Sequence, residues 1–362
     1  MVVDDTALFR RIISDALAAV PGVEVVGTAS NGKLALARLA SLQPDLITLD
    51  IEMPEMNGIE VLQSMASSGS KAGAIMLSSN TVRGGQITIR ALELGAFDFI
   101  TKPEGGSPEE NRELLRGRLG PIIRAFERRR EIRSILENKP SKSGAVAVPV
   151  LAPHSAAPRT SASLARKSKF SMVLIGVSTG GPVALAEVLP ALPRNLGVPV
   201  FIVQHMPPHF TLALAERLQS KSAIRVKEAE EGEIAVPDCA YIAPGGRHMK
   251  LVPGAAGEIV VQLTDDPPEN NCRPSVDYLF RSAALHFPGR SVAVILTGMG
   301  NDGTQGLRLL KRSACSSIAQ DEASCVVFGM PKEAILAGVV DTVVPLIRVA
   351  DAIVHSLSGV RP

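Results

Sequence analysis

The stretch Phe170 to Gly181 reads FSMVLIGVSTGG. Met172 to Val177 is unbroken apolar sequence, rich in Val and Ile, as in a strand buried on both faces. Such strands belong to parallel sheets covered by helices, so this stretch selects an α/β fold. It then delivers Ser178, Thr179, Gly180 and Gly181. Gly176-Val177-Ser178-Thr179-Gly180 has the spacing G-x-S-x-G, which can present a nucleophile at a strand-to-helix turn. The same letters also fit an ordinary tight turn, so the rest of the chain must decide.

Working outward, Val198–Gln204 (VPVFIVQ) and Ser291–Gly298 (SVAVILTG) are further buried-type strands. Leu214–Gln219 and Gly306–Arg312 have helical spacing. A doubly wound α/β domain is expected over residues 170–362. Upstream, residues 139–169 hold Pro, Ala and Ser, with six basic and no acidic residues. Such a segment buries too little apolar area to offset its ordering entropy, and it reads as a flexible basic linker. Residues 1–138 then form a first domain. Leu8, Ile12, Ala16 and Val20 recur every four residues, a helix closed by Pro21-Gly22. Val2-Val3, residues 23–29, 45–50, 74–78 and 97–101 read as strands, with helices between them. Five β-α alternations imply a second parallel sheet.

Bulk properties narrow the function. The chain has 362 residues, 46% apolar and 20% charged, with a net charge of +2. That balance does not favour nucleic acid as a partner, and the absence of Trp with only 3% aromatics removes a base-stacking platform. No apolar run reaches the ~18 residues of a membrane span, so no membrane insertion is expected. No signal peptide precedes the first helix. Cys239, Cys272, Cys315 and Cys325 show no C-x-x-C spacing and are expected as reduced thiols. A cytoplasmic location is expected.

In the first domain, Asp4, Asp5 and Asp50 fall at strand ends, where open parallel sheets collect ligands. Their repulsion calls for a hard cation such as Mg²⁺. Ser78 and Lys102 end two further strands, a setting that suits an aspartyl phosphoryl acceptor. Taken singly, an Asp at a strand end is more often a helix cap. As a set, with Met53–Leu62 (MPEMNGIEVL), they resemble a two-component receiver domain of flavodoxin-like fold. The resemblance implies phosphorylation of Asp50, Mg²⁺ on Asp4, Asp5 and Asp50, sensing by Ser78 and Lys102, and Phe99 as switch aromatic. Only Met1-Val2-Val3 precede Asp4, fewer than the ~5–6 residues of an ordinary strand; the expectation is an upstream start or a weakened domain.

In the second domain, Ser178, His205 and Asp302 each lie just past a parallel strand. On one sheet edge they would supply nucleophile, base and orienting carboxylate. A dinucleotide site on Gly180-Gly181 would want an acid at the end of the next strand, where Gln204-His205 stand instead. His205 and His209 suggest a metal pair, but Pro207-Pro208 between them disfavour the helical face it uses, which ranks metal hydrolysis below the triad. His154 lies in the linker, His286 and His355 on helical patterns, and His248 past a Pro-Gly-Gly turn within reach of substrate. Asp265, Asp266, Asp277 and Asp321 rival Asp302. The backbone of Thr179, Gly180 and Met299 is a candidate oxyanion donor set.

The segments IGVSTGGP, QHMPPHFT, LTGMGNDG and QDEASCVVFGMP resemble the chemotaxis protein-glutamate methylesterases, the CheB family. This second resemblance implies a Rossmann-like catalytic domain with Ser178, His205 and Asp302 as triad and Met299 as oxyanion donor. It implies hydrolysis of glutamate methyl esters, and deamidation of glutamines, on chemoreceptor helices, with no cofactor for the ester chemistry. A chemotaxis histidine kinase is the implied phosphodonor. His209 departs from the glycine expected at its position. The alternative is a response regulator with a non-catalytic binding output; no helix-turn-helix pattern supports a DNA-binding one.

Overall fold

The computed structural model describes residues 1–137 and 170–358; the segment read as a basic linker lies outside them. The first domain runs β1 (Val2–Val3), α1 (Ala7–Ala18), β2 (Thr28–Ala29), α2 (Gly32–Leu42), β3 (Leu46–Asp50), α3 (Gly58–Ser67), β4 (Gly73–Ser78), α4 (Val82–Glu93), β5 (Asp98–Thr101) and α5 (Pro108–Glu137). The sheet is parallel, in the order β2-β1-β3-β4-β5. The chain changes direction across the sheet between β1 and β3, which places Asp4 and Asp50 in the crevice that such a reversal opens.

Residues 23–29 read as a full strand, but only Thr28 and Ala29 pair in the sheet. The physical reason is their partner: β1 offers just Val2 and Val3, opposite Thr28 and Ala29. Val23 and Val25 still pack their side chains onto the core. Short as it is, β1 is fully buried, and the ladder continues through Met1, whose carbonyl accepts from Thr48 N at 3.1 Å.

The second domain runs β6 (Met172–Val177), α6 (Gly181–Val188), β7 (Val200–Gln204), α7 (Phe210–Gln219), β8 (Arg225–Glu228), β9 (Cys239–Ile242), β10 (His248–Pro253), β11 (Ile259–Thr264), α8 (Val276–His286), β12 (Ser291–Ile295), α9 (Thr304–Arg312), β13 (Ser316–Gln320), α10 (Met330–Leu336), β14 (Thr342–Val344) and α11 (Val349–Ser358). Its sheet order is β14-β13-β12-β6-β7-β9-β8, parallel throughout. The apolar runs become its centre: every residue of β6, β7 and β12 is buried. The fold class is therefore two doubly wound α/β domains. The antiparallel β10–β11 hairpin was not read from the sequence. Its alternation, with Met249, Leu251, Ile259, Val261 and Leu263 inward, is the period-two signal of a half-buried ribbon.

The domains meet through α4 and β5 on one side and α6 and α7 on the other. Phe99 stacks on Phe210 with centroids 4.7 Å apart and 17° between planes. Glu93 accepts from Arg217 in a fork, at 2.7 to 3.1 Å, and from Lys221 at 2.8 Å. Gly85 lets α4 come close: a Cβ there would lie 3.0 Å from the His209 carbonyl. His209 itself has φ 71°, left-handed backbone that favours glycine. This explains physically why glycine is expected at that position and histidine is the departure.

Gly176 holds α8 against β6, since a Cβ there would lie 2.3 Å from Val276 Cγ1. Gly176→Ala is expected to destabilise the protein by about 1–3 kcal/mol through overpacking, read as a lower midpoint in urea denaturation.

Candidate active site and receiver pocket

Ser178 and His205 occupy consecutive positions at the ends of adjacent strands. Val177 pairs with Gln204, and His205 N donates to Val177 O at 3.1 Å. The serine is pinned from three sides. Its N–H donates to Thr297 O at 3.0 Å, and its carbonyl accepts from Gly181 N at 2.8 Å and Gln204 Nε2 at 3.0 Å. The left-handed residue of this turn is Gly180 (φ 79°), whose Cβ position is already filled by Val326 at 2.5 Å. Ser178 does not itself have positive φ, so the turn keeps its strain on a glycine.

Asp302 is brought to the same rim by the β12–α9 loop. Its carboxylate accepts six hydrogen bonds. Oδ1 takes Asn270 Nδ2 (2.8 Å), Ser275 Oγ (2.9 Å), and the amides of Asp277 and Gly303 (each 3.0 Å). Oδ2 takes Val276 N (2.7 Å) and His205 Nε2 (2.8 Å). Val276 and Asp277 open α8, whose N-terminal amides and dipole favour an anion. Burial alone would raise the Asp302 pKa, but the His205 bond and these amides hold it well below the usual carboxylate range. Burial likewise disfavours a charged His205, yet the bond to Asp302, together with the contact to Cys272, wins and raises the imidazole pKa above its ordinary value.

The free ring nitrogen, Nδ1, faces Cys272 Sγ at 3.6 Å. Ser178 Oγ makes no hydrogen bond among the described residues; resting enzymes often leave this bond long until substrate binds. The amides of Thr179 and Met299 donate to no other described backbone group, leaving both available at the rim. Gly298 seats the two segments together, with its Cβ position 2.8 Å from Ser178 Cβ. Met299 and Gly300 also border a cleft of about 590 Å³, lined as well by Arg124 and Arg128 of α5.

The remaining candidates fall elsewhere. His248 is fully buried: its Nδ1 accepts from Ser275 N, its Nε2 meets Pro267 O, and its ring stacks on Tyr278. It is a packing residue and does not reach substrate. Asp277 is buried beside Asp302, and burial raises its pKa to about 6. Asn270, Cys272 and Ser275 were missed from sequence. They sit in Glu269–Ser275, a polar loop whose only outward signal is its Asn-Asn pair. Asp98, also missed, accepts from Thr179 Oγ1 at 2.8 Å across the domain boundary, and burial raises its pKa to about 6.

In the first domain, Asp4, Asp5 and Asp50 bring carboxylate oxygens within 4.8 Å of one another. Lys102 Nζ bridges Asp4 (2.8 Å) and Asp50 (2.7 Å). Burial raises the Asp50 pKa to about 6, with Lys102 opposing it. Ser78, fully buried, donates toward Gly84 O and Ser79 O and accepts from Thr88 Oγ1. Two buried carboxylates and one exposed one form an all-oxygen donor set that fits a hard divalent cation.

The class of protein is defined by two family models. One for the response regulator receiver domain matches residues 1–114, and one for CheB methylesterase matches residues 173–353. A protein-glutamate methylesterase/protein-glutamine glutaminase of Desulfotalea psychrophila is 50% identical, over 99% of this chain and 98% of its own. One of Geobacillus kaustophilus is 44% identical, over 98% and 97%. The crystal structure of the Thermotoga maritima CheB methylesterase catalytic domain aligns with 51% of this chain and 98% of that one, at TM-score 0.50 and 44% identity. The chain belongs to the CheB family of receiver-linked protein-glutamate methylesterases/protein-glutamine glutaminases. No helix among the described residues is long and apolar enough to cross a membrane.

If Asp302 holds the imidazolium, NMR titration of the His205 ring will give a pKa above 6.5. In Asp302→Asn the largest opposing contribution to burial is gone, only Cys272 still favours the charged ring, and the value falls. An unmoved value would show that the pair does not control the ring.

Proposed function

We propose that Ser178, His205 and Asp302 carry the family's methylesterase and glutaminase chemistry, acting on chemoreceptor cytoplasmic helices. The observation that carries this reading is the pairing of Ser178 and His205 at neighbouring strand ends, with Asp302 bonded to the far ring nitrogen. Ser178 Oγ attacks the γ-carbonyl of a glutamate methyl ester or a glutamine. His205 takes the hydroxyl proton on Nδ1, the nitrogen that Asp302 leaves free, and passes it to the leaving methanol or ammonia. The Thr179 and Met299 amides receive the oxyanion, each such donor being worth ~10²–10³ in turnover. Water, activated by His205, then frees the acyl group and restores Ser178.

Residues 1–138 serve as the regulatory receiver, joined through 139–169 to the catalytic domain over 170–362. A chemotaxis histidine kinase phosphorylates Asp50, and the site of action is the cytoplasm. Asp4, Asp5 and Asp50 would hold Mg²⁺, which supplies positive charge against the phosphoryl oxygens. Ser78 and Lys102 turn toward the new phosphoryl group, and Phe99 responds. Phe99 stacks directly on Phe210, and Asp98 on the next position holds Thr179, the neighbour of Ser178. Movement of β5 therefore reaches the catalytic rim within one contact. A binding output without catalysis is not favoured.

The test is methanol release from methylated receptor, with and without a small phosphodonor. Ser178→Ala is expected to lower turnover on the order of 10⁴-fold or more; unchanged release would overturn the assignment. Asp98 gives a second prediction. Its pKa is raised to about 6 while docked, so the docked state binds a proton more readily than the released one. Docking then weakens as pH rises through about 6 and strengthens as pH falls toward the ordinary carboxylate value. Asp98→Asn removes the charge but keeps an acceptor for Thr179. With the docked receiver covering the rim around Ser178 and holding activity down, unphosphorylated activity at neutral pH should fall several-fold, and a rise or no change would show that Asp98 does not oppose docking.

A further inference from the structure

We propose that His205 Nδ1 and Cys272 Sγ form a binding site for a borderline-soft divalent cation, Zn²⁺ foremost, which switches the hydrolase off. The inference rests on the reading of His205 as general base, and it adds a ligand to that same ring. Nδ1 and Sγ are 3.6 Å apart. Zn–N and Zn–S bonds of roughly 2.0–2.1 and 2.3 Å at a tetrahedral angle require a separation of about 3.6 Å, so the two donors already stand at the distance of a bound pair.

The surroundings are also those of a metal-binding histidine. Such a ring usually donates its other N–H to a carboxylate, which fixes its orientation, and Asp302 occupies that place on Nε2. With six donors already on it, Asp302 stays there and is not needed as a ligand. Cys272 is held in position by reciprocal backbone bonds between Glu269 and Cys272, at 2.9 and 3.1 Å. Asn270 and Asn271, both left-handed (φ 53° and 59°), turn the loop between them. Both donors are partly exposed, so the site is open to solvent. A nitrogen–sulfur pair selects Zn²⁺ or Cu²⁺ over Mg²⁺ and Ca²⁺, which prefer oxygen. Two protein ligands leave the remaining positions to water, which makes the site a reversible one.

On binding, Cys272 releases its thiol proton and His205 any proton held on Nδ1, both to solvent, and the thiolate and the Nδ1 lone pair join the metal. The Nδ1 lone pair is then committed to the metal and cannot accept the Ser178 proton. Nothing else in the fold has to change.

The experiment uses the full chain with excess Mg²⁺, which fills oxygen-donor sites such as Asp4, Asp5 and Asp50. Added Co²⁺ should give a thiolate-to-metal charge-transfer band that Zn²⁺ displaces and that Cys272→Ser abolishes. On the unmutated chain, Zn²⁺ should protect Cys272 from iodoacetamide, read by peptide mass spectrometry, which covers the case of a variant that folds poorly. Zn²⁺ should also lower methanol release on the order of 10²-fold, the worth of a general base, with recovery on chelation. Absence of the band, its survival in Cys272→Ser, or undiminished alkylation of Cys272 would overturn the metal site while leaving the esterase reading intact. A band and protection with full esterase activity would overturn the inhibitory step and the role of His205 as base, but not the site.

Discussion

One anion organises the catalytic half of this molecule. The Asp302 carboxylate is removed from water, and six donors drawn from the 270s loop, the start of α8, the β7 rim and its own neighbour Gly303 replace its hydration. Burying a charge without such partners would cost far more than the fold could spare. Satisfying it ties together three segments distant in sequence. The same anion bears on the His205 ring, because an ionised partner stabilises the imidazolium that forms when the ring takes a proton. Structure and chemistry therefore share one electrostatic constraint.

The domain boundary works by a different balance. Phe99 on Phe210 supplies apolar contact, and the fork from Arg217 to Glu93 supplies directional bonds at a partly exposed edge. Exposed ion pairs contribute little, typically up to about 1 kcal/mol, so the aromatic stack and the close approach at Gly85 do most of the holding. Against them stands Asp98, a carboxyl that burial makes reluctant to ionise. The interface holds together while carrying a built-in opposing contribution, as befits a contact that must open.

The parallel cores were legible because buried strands announce themselves. Met172–Val177, residues 200–203 and residues 292–296 are apolar throughout; Ser178 and His205 follow the first two within two residues, and Asp302 lies in the glycine-rich loop after the third. The receiver's acids and Lys102 were legible for the same reason. Less was visible where long-range partners decide the outcome. Residues 23–26 have strand composition but no paired neighbour in β1. His248, after a glycine turn, looked accessible and is sealed beneath Tyr278. Asn270, Cys272 and Ser275 acquire meaning only when their loop closes over Asp302, and Asp98 only when a second domain arrives. No local pattern encodes those contacts.

The α4–β5 surface of the receiver has a further consequence. Glu93, Gly85, Gln86 and Phe99 are all engaged by α7 or the turn that precedes it. Any outside protein that reads this surface must first evict the chain's own second half. Recruitment there and loss of the Phe99–Phe210 stack are then a single event, and the Asp98 bond to Thr179, beside the serine, goes with it.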